Sequence, residues 1–404
     1  MSIWFINDTR LKEKIMRNKL HQRVHSLDFL KGLVLVLMAL DHTRDFFHAD
    51  VFVFGPLDPQ STTWPIYITR WITNFCAPAF SFLAGVSVFF VSNKKSPKEL
   101  SAFLFKRGIW LIFIQLTLIN FAWYFDMGMR YIELDVIASL GVSMIALAAL
   151  VHLPKKFILV FSIVMIAGHN LLDRVNLDTF WWAILHEQGS FPITNHFSFD
   201  VYYPLIPWIG VMSLGFSIGH FYHKSYDSNL RKKRFIWIGA SAIILFLLLR
   251  VFNLYGNPTA WTDFGSFSKN LMSILNVNKY PPSLSYLLIT LGPTFLLMAF
   301  SENIKGRVVD FFMVFGRVPF FFYIAHLYVI HLFAMLAAEL TWTGWQTMVL
   351  DVWVVDEPAL KGYGFSLIGV YFIWMLVIAT LYPISRKFDR YKQNNKDKTW
   401  LSYL

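Results

Sequence analysis

The residues best suited to chemistry are ionisable side chains at the end of an apolar stretch, residues 26–48, with the sequence SLDFLKGLVLVLMALDHTRDFFH. Five of them occupy eight consecutive positions: Asp41, His42, Arg44, Asp45 and His48. Ionisable groups inside a hydrophobic helix are costly, so they usually face a cavity or a partner and mark a functional site. A histidine with a carboxylate partner can take a proton from a hydroxyl or an amine near neutral pH. His42 precedes Asp45 by three positions, so this carboxylate could orient its ring.

The cluster has a second interpretation, an ion-paired helix end in which Arg44 neutralises the carboxylates beside it. Arg70, in the next apolar run, could pair with the same carboxylates or stabilise an oxyanion together with Asn74. His326, in a run near the C-terminus, could join the site or hydrogen bond to a neighbouring helix. We therefore take Arg44, Arg70, Asn74 and His326 as candidates for substrate positioning. The candidates for catalysis are Asp41, His42, Asp45 and His48.

The composition places these residues in a membrane protein. The chain has 404 residues, of which 56% are hydrophobic and 15% charged, whereas a soluble domain carries about 25% charged residues. Its formal charge of +11 does not indicate nucleic acid, because the basic residues lie in short tails and loops between apolar runs. The lone Cys76 excludes an internal disulfide and a multi-cysteine metal site. Walker and HExxH motifs are absent from the sequence, so we expect neither nucleotide hydrolysis nor a metal.

Ten apolar runs approach the roughly 20 residues that a helix needs to cross a bilayer. They lie at 27–47, 66–91, 102–124, 132–151, 156–172, 202–222, 233–252, 283–301, 311–340 and 364–384. Most lysines and arginines fall before the first run, after the last, and in alternate loops, which places both termini in the cytoplasm. The sequence thus predicts one all-α polytopic membrane domain over residues 1–404. Its cytoplasmic ends are predicted at 1–26 and 385–404.

Charged residues at the cytoplasmic ends of the apolar runs differ from the cluster. Lys31, Arg107 and Arg317 could hold the phosphates of an anionic cofactor that enters from the cytosol. They could equally bind lipid headgroups. The opposite loops are longer and rich in Trp, Tyr, Pro and Asn: 48–65, 173–200, 253–282 and 341–363. These aromatics fit an interfacial belt, and they would also suit a sugar acceptor.

Several segments resemble one protein family. The opening signature is RVHSLDFLKGLVLVLMALDH at 23–42, followed by TRWITNFCAPAFSFLAG at 69–85. Further matching segments are YYPLIPWIGVMSLG (202–215), LYGNP (254–258), KYPPSL (279–284), GRVPFFFYIAHLYVIH (316–331) and WLSYL (400–404). They resemble the catalytic-domain family of heparan-α-glucosaminide N-acetyltransferase, in a bacterial branch. One departure is Lys31, where arginine is more usual in the family.

The resemblance implies a transmembrane acyltransferase of the bacterial inner membrane. It implies that acetyl-CoA, or another acyl-CoA, is used on the cytoplasmic side and that an amino sugar or cell-envelope glycan accepts the acyl group on the far side. A histidine in the outer part of the first span acts as base or transient acceptor in the family. The candidates carried over are His42 in the DH pair and His48 after it. Eukaryotic members have an asparagine at the position of His42 and a histidine further on. The choice between His42 and His48 as the functional histidine therefore stays open.

Two other classes of function fit the residues. A proton-coupled transporter could use the intramembrane Asp, His and Arg cluster as a proton relay. Transporters often carry internal repeats, and none is found in this sequence, which disfavours that class. A non-catalytic scaffold would scatter the polar residues between helices instead of around one cavity. The expected partners are acyl-CoA, a glycan acceptor and the lipid bilayer, without nucleic acid; a homo-oligomer is compatible with the sequence.

Overall fold

Helices form most of the chain. The computed structural model describes residues 2–194 and 197–402. Its α-helices are α1 (Ser2–Phe47), α2 (Trp64–Ile72), α3 (Cys76–Ser92), α4 (Pro97–Ile114), α5 (Asn120–Tyr124), α6 (Val136–Leu150), α7 (Lys155–Gly168), α8 (Phe180–Leu185), α9 (Leu205–Ile218), α10 (Ser228–Val251), α11 (Phe267–Leu275), α12 (Leu284–Ser301), α13 (Arg307–Gly316), α14 (Pro319–Leu340) and α15 (Leu367–Asn394). In this part of the chain, eight helical stretches are long and apolar enough to cross a membrane, and α6 is a shorter apolar helix. The predicted class, an all-α polytopic membrane protein, is confirmed.

The predicted apolar runs fall on helices, with two differences. The run at 311–340 is divided between α13 and α14, because Pro319 disfavours a helical conformation at the residue before it. The run at 132–151 begins as a strand and becomes helical only at Val136. The number of crossings and the cytoplasmic position of the termini stay predictions. We call the side of the protein at the C-terminal end of α1, next to His48, the outer side or outer end, and the side near Lys31 the inner side or inner end.

Helix α1 is central, with α3, α13, α14 and α15 packed around it. Its closest crossing is with α13, at a pair of glycines. A Cβ on Gly32 would lie 1.8 Å from the carbonyl oxygen of Phe312, and one on Gly316 would lie 1.7 Å from that of Asp28. Small residues let two membrane helices approach to backbone contact. The crossing therefore fixes the depth of α1, and with it the depth of every ionisable residue that the helix carries.

A small sheet covers the outer side of the helices. Its strands are β1 (Tyr131–Leu134), β2 (Gly189–Thr194) and β3 (Phe197–Val201). β3 is central, parallel to β1 and antiparallel to β2, and Glu133 is paired with Asp200. Each strand has only four to six residues, which is too short for a clear alternating pattern. The sheet joins the end of α5 to the start of α9, and it places Glu133 beside the outer end of α1.

Candidate active site

The ionisable cluster of α1 lines a polar cavity of about 500 Å³ in the outer half of the protein. The other walls come from the α2–α3 junction, α5, the β1–α6 junction, α14 and four loops. Its charged and histidine residues are Asp41, His42, Arg44, Asp45, Arg70, Glu133, Asp135, Lys279 and Asp356. The polar residues are therefore gathered around one compartment, as the enzyme and transporter hypotheses require and the scaffold hypothesis does not.

His42 is paired with a second histidine. Its Nδ1 lies 2.8 Å from Nε2 of His326, and the two rings stack with their centroids 5.0 Å apart. Nδ1 of His326 lies 3.0 Å from the carbonyl oxygen of Phe322, which can only accept, so this nitrogen carries the proton. Nε2 of a neutral His326 is then an acceptor, and Nδ1–H of His42 donates to it. The remaining nitrogen of His42, Nε2, is unprotonated, which is the tautomer that a general base needs.

The carboxylates of α1 are held by guanidinium groups. Nη2 of Arg44 lies 2.5 Å from Oδ1 of Asp45 and 3.3 Å from Oδ1 of Asp41. Nη1 of Arg70 lies 3.4 Å from the other oxygen of Asp41. The structure differs from the expectation that Asp45 orients the His42 ring, because Asp45 contacts Arg44 while the ring is hydrogen bonded to His326. Arg44 pairs as the alternative interpretation predicts, but its Nε and Nη1 are buried without a partner.

His48 lies outside the cavity lining. Its ring is buried, with 2% of the residue exposed, and Nε2 lies 3.7 Å from a carboxylate oxygen of Asp50. Its backbone forms a bridge with Phe365, at the start of the segment leading to α15. Of the two histidines that the resemblance leaves open, only His42 lines the cavity.

Asn74 stands behind Arg70. Its Oδ1 accepts from Nη1 of Arg70 at 3.2 Å, and its carbonyl oxygen accepts from the hydroxyl of Tyr286 at 2.8 Å. Asn74 lines a separate shallow pocket and not the main cavity. Its contacts fit a residue that holds Arg70 in place, whereas Arg70 itself faces the cavity.

The wall opposite α1 is acidic and aromatic. The hydroxyl of Tyr124 donates to Oε2 of Glu133 at 2.5 Å, and that of Tyr323 to Oδ2 of Asp135 at 3.4 Å. Burial raises the pKa of Asp135 to about 6. Burial, and then the neighbouring Asp135, raise the pKa of Glu133 well above its usual range. These two carboxylates are not among the candidate site residues selected from the sequence, although they lie at the outer end of a predicted apolar run.

Loop residues complete the cavity. Tyr202, which follows β3, and Trp353 have ring centroids 6.1 Å apart, and Lys279 adds a cation. Trp353 belongs to the outer loop 341–363, whose aromatics the sequence indicated, whereas Tyr202 was assigned to the start of the apolar run at 202–222. Only the tertiary fold shows which of them face the cavity, because the loops around 202, 279 and 353 have no common periodicity.

An apolar slot of about 190 Å³ lies on the inner side of the cavity. Lys31 and Arg107 line it together with apolar side chains of α3, α4 and α6, and Phe80 lines both the slot and the cavity. Nζ of Lys31 donates to Oγ of Ser87 at 2.8 Å. Lys392 of α15 lies within electrostatic range of Lys31 and Arg107. Two of the three predicted inner cations therefore meet at one slot.

Arg317 is placed differently from the other two. It does not line the slot, and its Nη1 lies 3.5 Å from Oδ2 of Asp389. Its side chain is 31% exposed. The structure groups it with an acidic partner on α15 instead of with Lys31 and Arg107.

The fold and the site define a polytopic membrane protein with a pair of histidines at an outer polar cavity and an apolar slot on its inner side. The family model described as "Heparan-alpha-glucosaminide N-acetyltransferase, catalytic" matches residues 23–252, more than half of the chain. The chain belongs to this family, which confirms the resemblance and supports an acyltransferase-type activity in the membrane. No curated protein matches the chain. The matched range includes His42 and the slot cations Lys31 and Arg107, while His326 lies beyond it.

Proposed function

We propose that the protein transfers an acyl group from acyl-CoA, with acetyl-CoA as the first donor to test, to an amino sugar or related glycan. In this proposal the donor enters from the cytoplasm of a bacterial cell and the acceptor lies at the outer side of the inner membrane. The observation that carries the proposal is the 2.8 Å contact of His42 Nδ1 with His326 Nε2 beside a polar cavity that shares the Phe80 wall with an apolar slot. Membership of the acetyltransferase family supports it.

The slot suits the donor. Lys31 and Arg107 would hold phosphate groups, because cations that hydrogen bond to phosphate give strong, charge-assisted contacts. The apolar walls beyond them suit an extended pantetheine arm. Lys31 and His42 are separated by eleven residues of one helix, which corresponds to about 16 Å along its axis. A donor held at the inner mouth would therefore present its thioester near Phe80 and His42.

The acyl transfer is a single displacement at the thioester carbonyl. Nε2 of His42 takes a proton from the acceptor amine or hydroxyl as that atom attacks the carbonyl carbon. The C–S bond then breaks, and the leaving thiolate receives the proton from His42. His326 accepts a hydrogen bond from Nδ1–H of His42 throughout, which keeps Nε2 aimed at the cavity. The N–H groups of Arg44 and Arg70 would donate hydrogen bonds to the oxyanion of the tetrahedral intermediate, as an oxyanion hole does.

The outer wall suits an amino sugar. The carboxylate of Asp135 would attract its ammonium, and the side chain of Glu133 would hydrogen bond to its hydroxyls. The ammonium gives up one proton to solvent before the neutral amine attacks. The ring faces of Tyr202 and Trp353 would add cation–π attraction to the same ammonium. The proposed acceptor is thus a cationic or hydroxyl-rich sugar rather than an apolar alcohol.

Purified protein in lipid nanodiscs tests the proposal in two steps. We expect the wild type to bind acetyl-CoA by calorimetry and to acetylate glucosamine, used as the probe acceptor. His42→Ala should keep the binding and lose about 10²- to 10⁴-fold in transfer rate, the range for a general base. His326→Phe, which keeps ring packing without an acceptor nitrogen, should lose less and shift the pH profile of transfer.

His48→Ala is the matched control, because it removes a buried histidine from the same helix end outside the cavity. It should keep transfer within a few fold of the wild type. The proposal is overturned if the wild type binds no acyl-CoA, or if His42→Ala transfers as fast as His48→Ala.

A further inference from the structure

A second group of ionisable residues lies apart from the cavity, where α7 ends. His169 and Asp173 belong to the turn that follows α7, and His186 follows α8. Each offers one ligand atom, and the three atoms lie within 4.8 Å of one another. His169 and His186 are 2% and 0% exposed. Neither the acyl-transfer proposal nor the family match gives these residues a role.

The hydrogen bonding of this group is incomplete. Nε2 of His186 lies 3.0 Å from Oδ1 of Asp173. Both ring nitrogens of His169 and Nδ1 of His186 are buried without a hydrogen-bond partner. The carbonyl of Pro282 lies near the His169 ring, in a geometry that falls short of a hydrogen bond. A buried imidazole with no partner is unfavourable, so the arrangement calls for a further ligand between the rings.

We propose that His169, Asp173 and His186 bind one divalent transition-metal ion, with zinc as the best match. Two imidazoles and one carboxylate form a three-residue zinc set that leaves a fourth position for water. Zinc holds such atoms at about 2.0–2.2 Å, which puts neighbouring ligand atoms roughly 3.3 Å apart. The observed spacing needs only a small contraction, in which the His186–Asp173 hydrogen bond is exchanged for two metal bonds.

A supporting residue orients the carboxylate. Nδ2 of Asn170 donates to Oδ2 of Asp173 at 2.9 Å, which leaves Oδ1 towards the histidines. Oδ1 of Asn170 accepts from the backbone N–H of Leu284, at the start of α12, also at 2.9 Å. Hydrogen bonds of this kind hold metal-binding carboxylates in their orientation and are part of built metal sites. The site therefore rests on three separate elements: the end of α7, α8 and the N-terminus of α12.

The ion would join the end of α7 to the segment that leads into β2 and β3. Tyr202, at the end of that segment, lines the outer cavity. The proposed role is therefore structural, as a clamp on the outer cover of the cavity. This proposal departs from the expectation of no metal. The sequence did not indicate the site because its three ligands come from a turn and a later helix end that no sequence motif joins.

Metal analysis of the full chain tests the site. Protein purified without a histidine tag, treated with EDTA and then equilibrated with Zn²⁺, should retain about one zinc per chain by mass spectrometry. Asp173→Asn and His169→Ala should lose it. His152→Ala, which removes an exposed histidine at another loop, should retain it. The EDTA-treated wild type should also bind Co²⁺ with the visible absorption of a four-coordinate N and O site.

Thermal unfolding gives a second measurement. Zn²⁺ should raise the melting temperature of the EDTA-treated wild type and leave that of Asp173→Asn unchanged. Of the three ligands, Asp173 is the one whose substitution should disturb folding least, because its side chain is 21% exposed to solvent. The proposal is overturned if the wild type retains no zinc, or if Asp173→Asn and His169→Ala retain as much as His152→Ala.

Discussion

The outer cavity and the inner slot meet at Phe80, yet their charges are arranged in opposite ways. In the cavity, Arg44 and Arg70 are tied to buried carboxylates of α1. In the slot, Lys31 donates to a neutral hydroxyl, that of Ser87, and a second cation lines the same wall. The two arginines of the cavity are thus paired with carboxylates of its own wall, whereas Lys31 of the slot contacts a hydroxyl and has the carboxylate of Asp28 within electrostatic range.

This difference in charge pairing fits two separate roles along α1: holding an acceptor at the outer cavity and holding a donor at the inner slot. A cavity with paired charges can hold a polar acceptor and a base in fixed positions without attracting every anion nearby. A slot lined by two basic side chains would attract the proposed phosphate-bearing donor, and its apolar walls would exclude water from the thioester. The three predictions below test this contrast.

The largest expected effect is the loss of the buried ion pairs. Arg44→Met leaves Asp45 buried without its cation, and breaking one side of a buried pair costs about 3–5 kcal/mol. Arg317→Met is the matched change at the inner rim, where the side chain is 31% exposed and has one ion pair at 3.5 Å. We expect it to cost under about 1 kcal/mol. Unfolding in mixed micelles measures both, and equal losses would mean that the cavity network is not what stabilises the outer end.

The second-largest expected effect is a pH dependence of the free energy of unfolding that arises from Asp135 in the cavity wall. The pKa of Asp135 is about 6 in the folded protein and 3.8 ordinarily, so the folded state binds this proton more tightly than the unfolded state. The contribution to stability is present below about pH 4 and lost as the pH rises to 6 and above. The loss is about 2–3 kcal/mol at pH 7.5. Asp135→Asn cannot ionise and should be the more stable protein at pH 7.5, with no such gain at pH 4.

Asp58 provides a control of the opposite sign in an exposed loop. The backbone N–H of Gln60 and the hydroxyl of Ser61 hold its pKa below the usual value. Its contribution is therefore present at neutral pH and lost in acid, so Asp58→Asn should reduce stability slightly at pH 7.5. Melting temperatures at pH 4 and pH 7.5 measure both variants. A cavity variant that behaves like the loop variant would show that Asp135 is solvated in the folded protein.

The sequence predicts which residues α1 contributes to this site, but it does not predict most of the residues from other elements that contact them. The apolar pattern and the local cluster identify α1, because both are short-range features. Arg70 was expected to pair with the same carboxylates, since α1 and α2 are neighbours in the chain. The pairing of His42 with His326 joins positions 284 residues apart, and no local pattern encodes a contact of that separation. Glu133, Lys279 and Trp353 lie in short strands and loops, where periodicity gives no direction for a side chain.

The fold was predicted in outline for the same reason. Hydropathy finds helices because each must be apolar over its own length. It does not find the break between α13 and α14, because Pro319 interrupts the helix without interrupting the apolar run, nor strands as short as β1. The expectation of no metal likewise rested on the absence of motifs, and the site that we propose at His169, Asp173 and His186 lies in segments that no motif spans.

The smallest expected effect concerns the slot. Lys31→Ala removes one of the cations proposed to hold the donor phosphates, so acetyl-CoA should bind about five- to tenfold more weakly, or about 1 kcal/mol. The loss should shrink at high salt, because the interaction is between charges near the inner mouth. Lys31→Arg keeps the charge and should restore binding. Arg317→Ala removes a cation that does not line the slot and should leave binding unchanged. Calorimetry with acetyl-CoA measures all three variants, and equal losses in Lys31→Ala and Arg317→Ala would mean that the donor responds to the net charge of the inner rim and not to the slot.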